Sequence, residues 1–196
     1  EIVNIASIGS QTNPISLNEI LRKANDEQLT PAAQNKERVL FLGIDVQQDF
    51  MDNGALGVPG AHGDVERMTE FIYNNMDKIT NIAVSIDTHT PHQIFHPCWW
   101  IDENGNNPAP YTPITLADLD SGKYRAVIYP RQSRDYVEHL EKDGKKTLCV
   151  WSYHCLQGTS GAAFENQFAN MIYFHSVAKK AVTQRLVKGQ DPLSEM

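Results

Sequence analysis

The sequence has little that would suit a nucleic acid or a membrane. Its 17 lysines and arginines are outnumbered by 24 aspartates and glutamates, which gives a net charge of −7 without any basic cluster. No apolar run reaches the length of a membrane span, and no basic segment followed by an apolar one marks a secretion signal. We therefore expect a small-molecule partner, no nucleic acid and no membrane.

Cysteine is also scarce. Cys98, Cys149 and Cys155 form an odd set without the close spacing of a metal-binding pair, which argues against a disulfide framework and favours a cytoplasmic location. With 196 residues and 41% hydrophobic content, the chain can bury one sizeable core.

Strand-like and helix-like segments alternate after a polar start. Residues 1–36 predict an N-terminal extension that packs on the domain or on a neighbouring subunit, and residues 37–196 predict the main domain. Apolar runs typical of strands that are buried on both faces occupy 38–46 and 79–86. Further strands are predicted at 146–151 and 183–187, and helices at 65–76, 131–142 and 162–178. This alternation predicts an α/β fold with a mainly parallel central sheet.

Acidic residues stand at the ends of two predicted strands, Asp45 and Asp87. In an open parallel sheet, the carboxyl ends of the strands form the edge where ligands bind. His89 follows Asp87 by two residues, and His154 follows the predicted strand 146–151. Two imidazoles and a carboxylate suit Zn²⁺, Fe²⁺ or Mn²⁺. The alternatives are a surface triplet for residues 87–89 and a buried, backbone-bonded histidine for His154.

Two more histidines lie nearby in the sequence. They are His92 and His96. For His96, a turn histidine that faces water is favoured over a fourth metal ligand. The segment 97–122, rich in Pro, Asn, Gly and Trp, predicts a long ordered loop or insertion. Its aromatic side chains either line a pocket for a planar ring or anchor the loop to the core.

Five motifs carry a family resemblance. They are DVQQDF at 45–50, GALGVPGA at 54–61, SIDTH at 85–89, HCLQGTSGA at 154–162 and VKGQDP at 187–192. In this order they resemble the nicotinamidase branch of the isochorismatase-like cysteine hydrolases, and they span most of the chain.

The resemblance implies a three-layer α/β/α, Rossmann-like fold and a catalytic triad of aspartate, lysine and cysteine. Asp45 would be the general base and acid, Lys188 the triad lysine, and Asp87, His89 and His154 the ligands of one divalent metal ion, with Zn favoured over Fe or Mn. A lysine beside an aspartate also makes chemical sense, because a nearby cation favours a thiolate and the carboxylate can accept its proton. Homo-oligomerisation is a further expectation.

The chain departs from the family in one respect. The nucleophilic cysteine is expected several tens of residues after Lys188, and none of the three cysteines fits that position. The resemblance therefore implies a fold that is truncated before its last strands, completed by a downstream fragment or a second chain. The predicted function is a metal-assisted cysteine amidohydrolase that cleaves a small amide such as nicotinamide through a thioester on a cysteine beyond this chain. The alternatives are a catalytically silent metal-binding or scaffolding relative, and a hydrolase in which metal-bound water attacks.

Overall fold

The computed structural model describes residues 2–194, which divide into two compact units. Unit 1 comprises residues 2–87 and 158–188, and unit 2 comprises residues 88–157 and 189–194. The predicted boundary between residues 36 and 37 stays a prediction. Within the described part of the chain, no helix is both long enough and apolar enough to cross a membrane.

The regular elements are numbered in chain order. The α-helices are α1 (Leu17–Asp26), α2 (Ala61–Asn74), α3 (Leu116–Asp120), α4 (Pro130–Lys142) and α5 (Asn166–Ala178). The strands are β1 (Leu40–Gly43), β2 (Asn81–Asp87), β3 (Trp100–Asp102), β4 (Pro113–Ile114), β5 (Tyr124–Ala126), β6 (Leu148–Cys149) and β7 (Gln184–Lys188). Short 3₁₀ helices occupy Ile5–Ser7, Ala32–Gln34, Gln48–Phe50, Pro97–Trp99 and Ser160–Ala162.

A parallel three-stranded sheet organises unit 1. The strand order is β1-β2-β7, with β2 paired in parallel with both neighbours. In this register Asp87, the last residue of β2, lies opposite Lys188, the last residue of β7. The carboxyl ends of the three strands therefore meet at one edge. The predicted α/β class with a parallel sheet is confirmed.

The two faces of β1 differ in burial. Gly43 faces α5 so closely that a Cβ there would lie 2.7 Å from the ring of Phe168. On the opposite face Leu40, Leu42 and Ile44 are 58%, 47% and 64% exposed. The prediction that this strand is buried on both faces is therefore wrong, because a strand alternates its side chains and no helix among the described residues covers the second face.

The core of unit 1 lies under the covered face of the sheet. α2 contributes Val65 and Ile72, and α5 contributes Phe168, Met171 and Ile172, all buried. α1 from the predicted N-terminal extension packs against α5 and buries Ile20 and Ala24 in the same cluster.

One buried carboxylate ties the N-terminal segment to α5. Glu165 is fully buried at the N-cap of α5. Its Oε2 accepts hydrogen bonds from the backbone N–H groups of Gln167 and Phe168, both at 2.8 Å, and its Oε1 accepts one from Gly9 at 3.1 Å. Burial raises the pKa of Glu165, and the three backbone donors offset part of that shift. A helix N-terminus favours a carboxylate at this place.

Unit 2 contains two small antiparallel sheets, β3 with β5 and β4 with β6. The strand predicted at 146–151 therefore shortens to β6 and lies outside the parallel sheet. Regular strand pairing ends after β6, because the next two residues bond to different segments. Val150 N–H donates to Thr112 O at 2.9 Å, and Trp151 N–H donates to Phe95 O at 2.7 Å. A strand does form within 146–151, as predicted, but it pairs with β4 and not with the strands of the parallel sheet.

The Trp-rich segment 97–122 is ordered and anchored. Trp99 and Trp100 are fully buried. Their indole N–H groups donate to Ser133 Oγ at 2.9 Å and to Ile94 O at 2.6 Å. For these two rings the structure favours anchoring over the lining of a pocket.

We predict that Glu165→Ala lowers the free energy of unfolding by about 2–3 kcal/mol, since it removes an N-cap and leaves three buried backbone donors without their acceptor. Urea denaturation at pH 7 measures the change. Glu70→Ala on the exposed side of α2 is the matched control and should change stability by no more than about 0.5 kcal/mol. Equal effects of the two substitutions would contradict the anchoring role.

Candidate functional site

An ion pair network occupies the carboxyl edge of the parallel sheet. Lys188 Nζ lies 3.0 Å from Asp45 Oδ2 and 2.7 Å from Asp87 Oδ1. Asp45 follows β1 by two residues, Asp87 ends β2 and Lys188 ends β7, so three adjacent strands each deliver one charged group. The structure thus brings together the two predicted catalytic residues and one predicted metal ligand.

Asp45 is held in an unusual backbone conformation. Its φ is 55°, in the left-handed region that few residues other than glycine, asparagine and aspartate adopt. Its backbone N–H donates to Ser85 Oγ at 3.0 Å, and the same hydroxyl donates to Asp45 Oδ1 at 2.6 Å. This clamp fixes the carboxylate with its second oxygen toward Lys188. Such strained positions are frequent at functional sites.

Gln47 is a positioning residue that the sequence reasoning did not single out. It is fully buried. Its Nε2 donates to Asp87 O and to Ala162 O, both at 2.9 Å, and its Oε1 accepts from Asp87 N–H at 2.7 Å. The side chain thereby satisfies both backbone groups of Asp87. A carboxamide directly after a buried strand was the available signal.

The charges in this network support one another. Burial lowers the pKa of Lys188, but the hydrogen bonds and charges of Asp87 and Asp45 outweigh it, so that the pKa is raised above the ordinary lysine value. Lys188 is therefore an ammonium ion at neutral pH. Because Lys188 is only partly buried, water screens its attraction to Asp45 and Asp87, and the attraction is weaker than it would be in a site without water.

Unit 2 contains a cluster of three buried imidazoles, His89, His96 and His154. The ring centres of His89 and His154 lie 4.8 Å apart, and that of His96 lies 5.9 Å from His89 and 5.7 Å from His154. Ligand nitrogens of His89 and His154 lie within 4.8 Å of one another. The structure brings these two predicted ligands together.

Main-chain carbonyls fix the tautomer of both predicted ligands. His89 Nδ1 lies 2.9 Å from Gly189 O, and His154 Nδ1 lies 2.7 Å from Ser152 O. Since a carbonyl oxygen only accepts, each Nδ1 carries a hydrogen, and the nitrogen that could bind a metal is Nε2. Histidines that bind metals are held in this manner, so this donor set fits a borderline divalent metal.

Asp87, the third predicted metal ligand, is close to His89 in the sequence. It is the last residue of unit 1, and only Thr88 separates it from His89. His154 does not follow a strand of the parallel sheet, contrary to the prediction; it comes from the turn after β6. The metal set of Asp87, His89 and His154 stays a prediction.

The interpretation of His96 as a turn histidine that faces water is wrong. His92 is exposed, whereas His96 is fully buried. Burial lowers the pKa of His96 to about 4, against the opposing effect of its hydrogen bond to the Pro91 carbonyl. His96 is therefore a neutral imidazole at physiological pH.

None of the three cysteines, all of which lie among the described residues, forms a disulfide. Cys155 is buried, and Cys98 and Cys149 are half-buried. The main chain at Cys155 has a φ of 46°, and its carbonyl accepts a hydrogen bond from His89 N–H at 3.0 Å. Cys155 thus helps to hold the turn that carries His154.

No family model matches the chain, and no curated protein matches it. Solved structures do. The yeast nicotinamidase Pnc1p bound to the inhibitor nicotinaldehyde is 19% identical, with 80% of this chain and 58% of that chain covered and a TM-score of 0.49. A nicotinamidase/pyrazinamidase of Acinetobacter baumannii is 20% identical, with 81% and 55% covered and a TM-score of 0.45.

A third match is the pyrazinamidase of Pyrococcus horikoshii in complex with zinc. It is 19% identical, with 80% of this chain and 54% of that chain covered and a TM-score of 0.40. The chain thus spans little more than half the length of the structures that it matches.

We predict that Lys188→Met lowers the free energy of unfolding at pH 7 by about 1–2 kcal/mol, because it leaves two neighbouring carboxylates without their shared cation. Since the folded-state pKa of Lys188 is raised, its stabilising contribution is complete below the ordinary lysine value of 10.5 and fades as the pH rises through the raised pKa. Urea denaturation as a function of pH measures both effects.

Lys146→Met replaces an exposed lysine and is the matched control. If Lys188→Met were as harmless as this control at pH 7, the network would not stabilise the fold. If the difference between the two variants did not shrink at high pH, the ammonium would not be its cause.

Proposed function

We propose that this chain belongs to a metal-assisted cysteine amidohydrolase that converts a small amide such as nicotinamide to the acid and ammonia. The observation that carries the proposal is the contact of Lys188 Nζ with Asp45 Oδ2 at 3.0 Å, at the edge of the parallel sheet. Both residues lie in motifs that resemble the nicotinamidases. The open carboxyl edge of such a sheet is where ligands bind.

Asp45 is the proton acceptor and donor of the reaction. Its carboxylate takes the proton of a cysteine thiol, and the thiolate attacks the amide carbonyl carbon to form a C–S bond. Asp45 returns the proton to the nitrogen as the C–N bond breaks and ammonia leaves. In the second half, Asp45 accepts a proton from water, whose oxygen forms a bond to the thioester carbonyl carbon. The C–S bond then breaks, and Asp45 returns the proton to the sulfur, which releases the acid and the free thiol.

Lys188 stabilises the charged form of this site. Its ammonium favours the thiolate over the thiol. It also balances the adjacent carboxylates of Asp45 and Asp87. Ser85 keeps the Asp45 carboxylate oriented through a hydrogen bond of 2.6 Å.

Asp87, His89 and His154 would hold one divalent metal ion, with zinc favoured for two imidazoles and a carboxylate. When bound, the ion supplies a Lewis acid that orients the substrate ring or a water molecule. Main-chain carbonyls keep His89 and His154 in the tautomer that such binding requires.

The nucleophile of this proposal is a cysteine beyond residue 196. Two features of unit 1 support a further polypeptide segment there. Among the described residues, β7 pairs only with β2, so its outer edge is open. On the sheet face away from α5, Leu40, Leu42 and Ile44 are exposed. A strand added to β7, with a helix over these side chains, would cover both.

We predict that the protein encoded by the complete gene releases ammonia from nicotinamide. Asp45→Asn and Lys188→Met should each lower kcat/KM by about 100-fold or more, because general acid–base catalysis contributes on that scale. An ammonia assay measures the rates. Asp143→Asn and Lys146→Met, both exposed in unit 2, are the matched controls and should retain the rate. Full activity of Asp45→Asn would contradict the proposed role of Asp45.

We also predict that thiol alkylation abolishes the activity of that protein, with one cysteine beyond residue 196 carrying the label. Peptide mass spectrometry locates the modification. Activity that survives alkylation but is lost on chelation would favour attack by metal-bound water instead. A protein that binds metal but hydrolyses no amide would favour the catalytically silent alternative.

A further inference from the structure

Residues 4–13, here called the strap, bind both α5 and the loop that follows β1. The carbonyl oxygen of Ser10 accepts two hydrogen bonds, from Gln48 Nε2 at 3.1 Å and from Asn166 Nδ2 at 2.8 Å. Three more bonds join the strap to α5 and its N-cap: Asn4 N–H to Gln167 Oε1 at 2.7 Å, Gly9 N–H to Glu165 Oε1 at 3.1 Å, and Asn13 Nδ2 to Asn170 Oδ1 at 2.6 Å. The strap is thus fixed at several points, and Gln48 is its link to the loop after β1.

Gln48 is the neighbour of the residue that holds Asp87. The Gln47 side chain binds both backbone groups of Asp87 and also the carbonyl of Ala162. The backbone N–H of Gln48 donates to the next carbonyl, that of Ala163, at 2.9 Å. Two successive carboxamides therefore connect one short stretch of main chain to Asp87 and to the strap. A displacement of Gln48 moves the main chain that carries Gln47.

The burial of Gln48 is not explained by packing alone. Its side chain is 3% exposed. Because the Ser10 carbonyl only accepts, the amide nitrogen of Gln48 must face it. The amide oxygen then has no hydrogen-bond partner among residues 2–194, which is unfavourable for a buried polar atom. A methionine of similar length would fill this place without that cost, so the glutamine is explained by its hydrogen bond to the strap.

We propose that Gln48 is a positioning residue, through which the strap holds Gln47 against Asp87 at the carboxyl edge of the sheet. Asp87 in turn binds Lys188 Nζ at 2.7 Å, so the strap supports the charged network from a distance. The consequence for catalysis rests on the proposed function, whereas the connection between the strap and Asp87 does not.

Two substitutions interrupt the connection at different points. Gln48→Met removes the donor and keeps the length of the side chain. It also removes the unsatisfied oxygen, so we expect the free energy of unfolding to change little. Gly9→Ala displaces the strap without altering Gln48, because a Cβ at Gly9 would lie 2.1 Å from His62 Nε2. Gln28→Met, at an exposed position after α1, is the matched control.

Hydrogen exchange of the Asp87 amide, followed by NMR in the protein encoded by the complete gene, measures the connection directly. This N–H donates to Gln47 Oε1 at 2.7 Å. Gln48→Met and Gly9→Ala should each accelerate its exchange about 10-fold relative to Val84 in the middle of β2, the scale expected for one lost hydrogen bond in a local opening. The double variant should be little faster than either single one, because both changes break the same connection.

The effect on catalysis is measured with the ammonia assay on the same samples. We expect kcat for nicotinamide to fall about 10-fold in Gln48→Met, because a small misplacement of groups at a reaction site costs at least that much. Gln28→Met should keep both the wild-type exchange ratio and the wild-type kcat.

An exchange ratio in both variants equal to that of Gln28→Met would overturn the inference. Equal acceleration at Asp87 and Val84 would also overturn it, because the cause would then be general destabilisation. If Gly9→Ala does not fold, Gln48→Met decides the result. Faster exchange at Asp87 with unchanged kcat would overturn the catalytic consequence alone. A wild type without amidase activity would overturn the proposed function, while the exchange ratio would still decide whether the strap holds Asp87.

Discussion

The ammonium of Lys188, shared by the carboxylates of Asp45 and Asp87, is the interaction on which the carboxyl edge of the sheet depends. The two acids end neighbouring strands, and without the cation their charges would repel each other. Burial disfavours the charged form of Lys188, and the two carboxylates offset that effect. The pairing register of β2 and β7 brings the charges together, because it places Lys188 opposite Asp87. A slip of one residue would turn Lys188 to the other face.

The main chain does much of the positioning around this edge. Gln47 binds both backbone groups of Asp87, and Ser85 binds both the backbone and the side chain of Asp45. Main-chain carbonyl oxygens accept from Nδ1 of each buried imidazole of unit 2. A neutral carbonyl fixes the orientation of a ring without adding negative charge.

The sequence was sufficient for local structure and for the charged edge. Apolar runs that end in Asp45, Asp87 and Lys188 placed three strand ends correctly, because parallel strands bring their carboxyl ends together. It was insufficient wherever the environment came from distant residues. The run at 146–151 shows the same pattern as a central strand, and only its pairing with β4 distinguishes it. The burial of His96 depends on packing that its neighbours in the sequence do not reveal.

The exposed side of β1 favours self-association of this polypeptide in solution. Leu40, Leu42 and Ile44 form an aliphatic patch on a sheet in which the outer edge of β7 pairs with no strand of residues 2–194. Two copies of this surface could join edge to edge, and repeated joining gives aggregates instead of a closed assembly. The yield of monodisperse material on expression consequently depends on whether that surface is covered.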